Sequence, residues 1–303
     1  WVAGLKVVTG TGELLELNHS LIKNATGYDL RHLFIGSEGT LGFIVEATIK
    51  LTKLPESLVV TLLAVPEMKD VISILTEFRK EVVLTAFEFF SDKALIHVLQ
   101  KTESPRPFES SSEYYVLLEY ENGDDAGQEA AMRAFEACAQ AGWVVDGVVG
   151  ASQQQNQNLW RYREAISESI TPYTPYKNDI SVRVSQVPRF LQVVENTVVD
   201  RYPDFEIVWF GHIGDGNLHL NILKPESWAI EDFKDECERV SENVMGIVAQ
   251  FKGSISAEHG VGLLKRDQLH HSRSEHEIEL MRSLKRVFDP NGIMNPGKLF
   301  PPP

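Results

Sequence analysis

The chain has 303 residues, 43% of them hydrophobic and 24% charged, so it can bury a sizeable core and we expect more than one domain. Its formal net charge of −14 argues against a nucleic-acid partner, because binding to phosphates depends on clustered Lys and Arg. The sequence has no apolar run near the ~20 residues of a membrane span, and its two cysteines, Cys138 and Cys237, indicate a reducing compartment without a disulfide framework.

The beginning of the chain is rich in glycine. Residues 5–17 read as two short strands around Gly10-Thr11-Gly12, and the chain starts without Met inside the first strand, which predicts a fragment. A glycine-rich segment at 36–42 precedes a strand at 43–51. Such a segment lets a ligand approach the backbone and aims amide N–H groups at phosphate or ring oxygens, although the glycines alone favour a tight structural turn.

Pro55 marks a domain boundary, after which strands alternate with helices. This alternation predicts the α+β class, with an antiparallel sheet covered by helices on one face. We predict strands at 57–66, 84–91, 114–120, 143–149 and 179–184, and helices at 68–82, 92–100, 125–141, 153–170, 188–199, 226–251 and 275–288.

The predicted helix at 153–170 carries Arg163 and Ser167 one turn apart, and Lys177 follows it. An Arg, a hydroxyl and a Lys that converge would bind a carboxylate, because a guanidinium matches a carboxylate bidentately. Without further context, pairing of Arg163 with Glu164 or Glu168 on a solvated helix face is the favoured interpretation.

Two apolar runs at 206–210 and 218–223 are joined by a glycine-rich turn, which predicts a β-hairpin. His212 leaves the first strand as His219 enters the second, so the turn brings the two imidazoles close together. Strand alternation places Asn221 on the same face as His219.

Glu258 and His259 stand next to each other between small residues and glycine, some forty residues after the hairpin. Two histidines and a Glu with one open position form the ligand pattern of catalytic zinc. From spacing alone, a metal site and ordinary strand histidines are equally good interpretations.

Four motifs together resemble a known family. In chain order they are NATGYDLRHLFIGSEGTLGFIVEATIKL, GHIGDGNLHLNIL, SAEHGVGLLKRD and KRVFDPNGIMNPGKLF. The chain is similar over almost its whole length to FAD-linked oxidases, the family of D-lactate, glycolate and D-2-hydroxyglutarate dehydrogenases, and most similar to the last branch. The resemblance implies the second half of a two-part FAD-binding domain at 1–55, a cap domain at 56–272, and a helix and tail at 273–303 that return to the flavin.

The resemblance also implies roles for individual residues. His212, His219 and Glu258 would hold a divalent metal ion, assigned as zinc with manganese and iron left open. His259 would be the catalytic base, and Asn221 would contact the substrate.

The substrate carboxylate would bind Arg163, Ser167 and Lys177, although Ser167 stands where relatives have Thr and the spacing to Lys177 is one residue shorter. Relatives hold the FAD pyrophosphate with an earlier glycine-rich loop that this chain lacks, so we expect the chain alone to retain FAD weakly. The residues expected to contact FAD are Asn24, Gly36, Ser37, Glu38, Gly39, Thr40, Gly42, Ile44 and Asn295.

The implied activity is FAD- and metal-dependent oxidation of a D-2-hydroxy acid such as D-2-hydroxyglutarate to the 2-oxo acid. Oxidation of D-lactate or glycolate is an alternative activity, and a metal-binding module without flavin is an alternative for this chain alone. A zinc hydrolase is a further alternative, but it would leave the GSEGTLG and NPGK segments unexplained. The electron acceptor would be a quinone, an electron-transfer flavoprotein or a cytochrome. We expect a cytoplasmic protein, with the periphery of the inner membrane or the mitochondrial matrix as alternatives, and a homodimer as the assembly.

Overall fold

The computed structural model of the chain describes residues 1–55, 57–121 and 125–301. The strands are β1 (Val2–Thr9), β2 (Leu14–Leu17), β3 (Gly42–Ile49), β4 (Leu58–Val65), β5 (Leu84–Ser91), β6 (Tyr114–Glu121), β7 (Asp146–Val149), β8 (Tyr176–Ser181), β9 (Glu206–Gly211) and β10 (Asn217–Leu223). The helices are α1 (Arg31–Phe34), α2 (Met68–Glu81), α3 (Asp92–Thr102), α4 (Asp125–Gln140), α5 (Gln153–Glu164), α6 (Ile166–Ile170), α7 (Val187–Arg201), α8 (Ile230–Gln250) and α9 (Glu275–Phe288). Among the described residues, no helix is both long and apolar enough to cross a membrane.

The chain divides into two compact units. Unit 1 comprises Trp1–Leu54 and the chain from Glu258 onward, and unit 2 comprises Pro55–Ala257. We predicted the second boundary at residue 272, whereas the structure places it at 257. The reason is local to unit 1: the backbone N–H groups of Val261 and Gly262 donate to the Glu38 carboxylate at 2.8 and 2.7 Å, which joins this segment to the beginning of the chain.

Unit 2 is built on an antiparallel sheet, seven-stranded within the described residues, in the order β7-β4-β6-β5-β9-β10-β8. The α+β class is therefore confirmed. Helices α2, α4, α7 and α8 pack on one face and α3, α5 and α6 on the other, so the prediction of helices on one face only was wrong. Both faces need cover because neighbouring residues such as Leu62 and Leu63 point to opposite faces and are both fully buried.

Unit 1 contains a small antiparallel sheet in the order β2-β1-β3. The predicted hairpin at 5–17 is confirmed as β1 and β2. Leu5, Val7, Phe34 and Leu41 form its buried core. Strand β3 is exposed along most of its length, with Phe43 65% exposed, so this unit presents an apolar strand surface.

Several predicted elements differ in their bounds. The helix predicted at 153–170 is two helices, α5 and α6, because the chain adopts a tighter turn at Ala165, whose N–H reaches Arg161 O and Arg163 O. The strand predicted at 179–184 is β8, which begins at Tyr176 and ends at Ser181. The strand predicted at 143–149 is shorter than expected, because β7 begins at Asp146 and ends at Val149.

Candidate functional site

The β9–β10 hairpin is the centre of the candidate site, and its prediction is confirmed. A short 3-10 turn at Ile213–Asp215 connects the strands and ends at Gly216, whose φ of +77° favours glycine. A side chain at Gly216 would collide with the carbonyl oxygen of Val182, and one at Gly211 with that of Asn217. The glycines therefore permit the tight reversal that the two histidines bracket.

His212 and His219 come together at this reversal. Their ring centroids are 5.5 Å apart with planes 82° apart, and ring nitrogens of the two lie within 4.8 Å. The His212 side chain is 40% exposed and that of His219 is 15% exposed, so both rings remain accessible to a small ligand. Two imidazole nitrogens at this separation suit adjacent positions around one metal ion.

A buried carboxylate lies behind each histidine. Glu88 Oε1 is 2.8 Å from His212 Nδ1, and Asp179 Oδ1 is 3.6 Å from His219 Nδ1. Asn217 Nδ2 donates to the same Asp179 oxygen at 2.7 Å. Metal-binding histidines commonly place one ring nitrogen against a carboxylate, which leaves the other, here Nε2, as the nitrogen that can bind an ion.

Arg163 faces the sheet from α5. Its side chain is 9% exposed, its Nε and Nη2 lie 3.0 and 2.9 Å from Glu88 Oε2, and its guanidinium is 4.8 Å from the centre of the Phe210 ring. The interpretation that Arg163 pairs with Glu164 or Glu168 on a solvated helix face was therefore wrong. The guanidinium instead belongs to the same cluster as His212.

The other predicted substrate-binding residues lie on the same face of the sheet. Asn221 on β10 lies opposite Lys177 on β8, and His219 lies opposite Asp179. Since the two pairs are two residues apart along each strand, all four side chains point to the same face of the sheet. Lys177 Nζ donates to Ser167 Oγ at 3.0 Å. Asn221 is 1% exposed and donates to the carbonyl oxygen of His219 at 3.2 Å.

Glu258 and His259 directly follow Ala257 and begin the second segment of unit 1, and both are exposed. The next residues bind Glu38, one of the predicted FAD-binding residues, through the Val261 and Gly262 amides. Asn295 Nδ2 donates to the Glu38 carbonyl oxygen at 2.5 Å. Unit 1 thus joins three motifs: the glycine-rich segment, the residues after Glu-His-Gly, and Asn-Pro-Gly-Lys.

The remaining predicted FAD-binding residues also lie in unit 1. Gly36 and Gly39 are exposed with φ values of +77° and +70°, which leaves backbone without side chains at the surface. Thr40 is buried and donates to the Ser37 carbonyl at 2.7 Å. Gly42 begins β3 against Val7, Ile44 is 42% exposed on β3, and Asn24 Nδ2 donates to Asn18 Oδ1 at 2.9 Å. Bare glycine backbone beside an exposed apolar strand suits close approach of a flat cofactor.

Sequence reasoning missed Glu88 and Asp179. Glu88 interrupts the apolar strand run LTAFEFFS, and a charged residue in the middle of a buried strand is a signal that a partner lies nearby. The partners could not be named, because Arg163 and His212 are distant in sequence.

Known proteins are similar to the chain over most of its length. The model of the family "FAD linked oxidases, C-terminal domain" matches residues 54–299. D-2-hydroxyglutarate dehydrogenase from Stutzerimonas stutzeri is 58% identical over 300 residues, and that from Xanthomonas citri pv. viticola is 53% identical over 300 residues. The alignments cover 99% of this chain but 65% and 63% of those relatives, so the chain spans less than two thirds of their length.

A solved structure shares the fold at low identity. The 4-ethylphenol oxidase from Gulosibacter chungangensis superposes with a TM-score of 0.70 at 13% identity, over 100% of this chain and 66% of that one. At this identity the likeness concerns the fold alone.

Proposed function

The chain belongs to the family of FAD-linked oxidases, and on that premise we propose that it oxidises a D-2-hydroxy acid of the D-2-hydroxyglutarate type to the 2-oxo acid. The reaction removes a proton from the hydroxyl group and a hydride from Cα. FAD, when bound, supplies the acceptor for that hydride. The observation that carries the proposal is the pair of hairpin histidines, each backed by a buried carboxylate and next to Arg163.

A divalent metal ion fits the donor set of this cluster, and zinc is the ion we propose. His212 and His219 would supply two nitrogen ligands and Glu258 a carboxylate oxygen. An ion held there would act as a Lewis acid on the substrate hydroxyl. The 2.8 Å contact of His212 Nδ1 with Glu88 supports this assignment, since it orients that ring before any ligand binds, and the Asp179 carboxylate lies 3.6 Å from Nδ1 of His219.

The chain path supports the inclusion of Glu258. Ser254 pairs with Ser181 on β8, with N–H to O distances of 3.0 and 2.8 Å, and Ser181 pairs with Asn217 at the start of β10. Glu258 follows Ser254 by four residues, which span at most ~14 Å when extended. Glu258 therefore follows closely, along the chain, the residue that pairs with β8.

His259 would take the proton from the substrate hydroxyl, because a neutral imidazole is a suitable base near neutral pH. Because His259 is next to Glu258 in the chain, the base would lie close to the metal ion that Glu258 binds. Asn221 would hold the substrate by a hydrogen bond.

Lys177 and Ser167 would bind the second carboxylate of a dicarboxylate, while Arg163 would bind the part of the substrate next to His212. Lys177 and Ser167 are exposed, and their 3.0 Å contact lies on the same face of the sheet. A lysine ammonium and a hydroxyl on one face offer charge-assisted hydrogen bonds that a monocarboxylate such as D-lactate would leave unused.

Substrate selectivity tests this proposal. In the full-length protein with an artificial electron acceptor, we expect kcat/KM for D-2-hydroxyglutarate to exceed that for D-lactate by about 100-fold or more. Lys177→Met should lower the rate for D-2-hydroxyglutarate and leave that for D-lactate almost unchanged. Lys101→Met, an exposed lysine at the end of α3, should change neither. Equal kcat/KM values for the two acids in the unaltered protein would contradict the dicarboxylate assignment.

A further inference from the structure

Glu88 is a buried carboxylate in an apolar strand. It lies in β5 between Phe87 and Phe89 and is 5% exposed. Taking a charged carboxylate out of water is costly unless opposite charges and hydrogen-bond donors surround it. The position is therefore one where hydrophobic packing alone would favour an apolar residue.

Each Glu88 oxygen has a different partner. Oε1 is 2.8 Å from Nδ1 of His212, at the start of the hairpin turn. Oε2 is 3.0 Å from Nε of Arg163 and 2.9 Å from its Nη2, on α5. One carboxylate thus connects the proposed metal-binding histidine to the proposed substrate-binding arginine.

A second histidine–carboxylate pair in unit 2 provides a contrast. His97 Nε2 is 2.9 Å from Glu206 Oε1, and this hydrogen bond lowers the pKa of Glu206. The other ring nitrogen, His97 Nδ1, is buried and lacks a hydrogen-bond partner among the described residues, so that ring cannot present a nitrogen to an incoming ion. His212 is bound through Nδ1 and its side chain is 40% exposed, which is the arrangement a metal ligand requires.

We propose that Glu88 is a positioning residue that sets the tautomer and direction of His212 and, through its second oxygen, the orientation of Arg163. This inference rests on the proposed function, because it assumes that His212 binds a metal ion and that Arg163 binds the substrate. Loss of Glu88 then has two consequences at once: the metal ion binds more weakly, and the substrate binds to an arginine that is no longer held in one direction.

Glu88→Gln in the full-length protein tests the inference, since Gln keeps the shape and removes the charge. We expect zinc affinity, measured by competition with a chelator, to fall by about 10- to 100-fold, and KM for D-2-hydroxyglutarate to rise. Glu206→Gln is the matched control, because it removes the carboxylate of the other histidine pair, and we expect it to leave zinc affinity unchanged.

Glu88→Gln leaves the buried guanidinium of Arg163 without its carboxylate, which can impair folding. The double variant Glu88→Gln, Arg163→Met removes both charges, and we expect it to fold and still to bind zinc about 10- to 100-fold more weakly. A folded Glu88→Gln protein with the zinc affinity of the parent overturns the positioning role. Absence of zinc binding by the parent itself overturns the proposed metal site, and with it this inference.

Discussion

Replacing His259 by Ala should lower kcat of the full-length protein for D-2-hydroxyglutarate by about 10²- to 10⁴-fold, with little change in bound metal. The expected loss is large because proton removal from the hydroxyl would have no positioned base. The measurement is steady-state turnover with an artificial electron acceptor, together with metal content. We expect near-normal metal content in this variant, since His259 is not among the proposed ligands.

Chemical rescue separates a base from a structural residue. Imidazole added to His259→Ala should restore part of the lost rate, because a free base can enter the space left by the side chain. Glu258→Gln should also lose turnover, yet imidazole should not restore it, because the missing group there is a metal ligand. Turnover of His259→Ala close to that of the parent would show that another group takes the proton.

Replacing His219 by Ala should lower kcat by about 10³-fold or more and, unlike the replacement of His259, should also remove the bound ion. His219 is held between the Asp179 carboxylate and the Phe210 ring, whose centroid is 4.9 Å from its own. Ala would remove one of only two nitrogen ligands proposed for the ion. The readouts are metal content of the purified protein and kcat with D-2-hydroxyglutarate.

His276→Ala is the control for that experiment. His276 is an exposed histidine on α9 with no role in the proposed site, so we expect parental metal content and turnover. If His219→Ala retained its metal ion and still lost turnover, His219 would act on the substrate and the ligand set would need another member.

The sequence predicted the parts of the fold that local pattern determines. The β9–β10 hairpin followed from two apolar runs around a glycine-rich turn, and the structure confirms it. The break between α5 and α6 was missed because Ala165 is a good helix former and nothing local marks a stop there. Helices on both faces of the sheet were missed, although the nearly continuous apolar run of β4, which contains Thr61, is typical of a strand buried on both faces.

The candidate site was predictable in its residue types but not in its pairings. The grouping of His212 with His219 followed from the hairpin. The environment of Arg163 did not, because its partner Glu88 is 75 residues earlier in the chain and on another element. Contacts of this range depend on the order of strands in the sheet, here β5 beside β9, which local patterns do not specify.

Metal depletion and restoration in the full-length protein tests the central claim, that oxidation depends on an ion held by His212, His219 and Glu258. The protein is stripped with a chelator, the chelator is removed, and zinc is added back in steps while bound zinc and turnover of D-2-hydroxyglutarate are measured on the same samples. We predict negligible turnover after stripping and recovery in proportion to bound zinc, up to about one ion per chain. Full turnover of the stripped protein with FAD retained would contradict the claim.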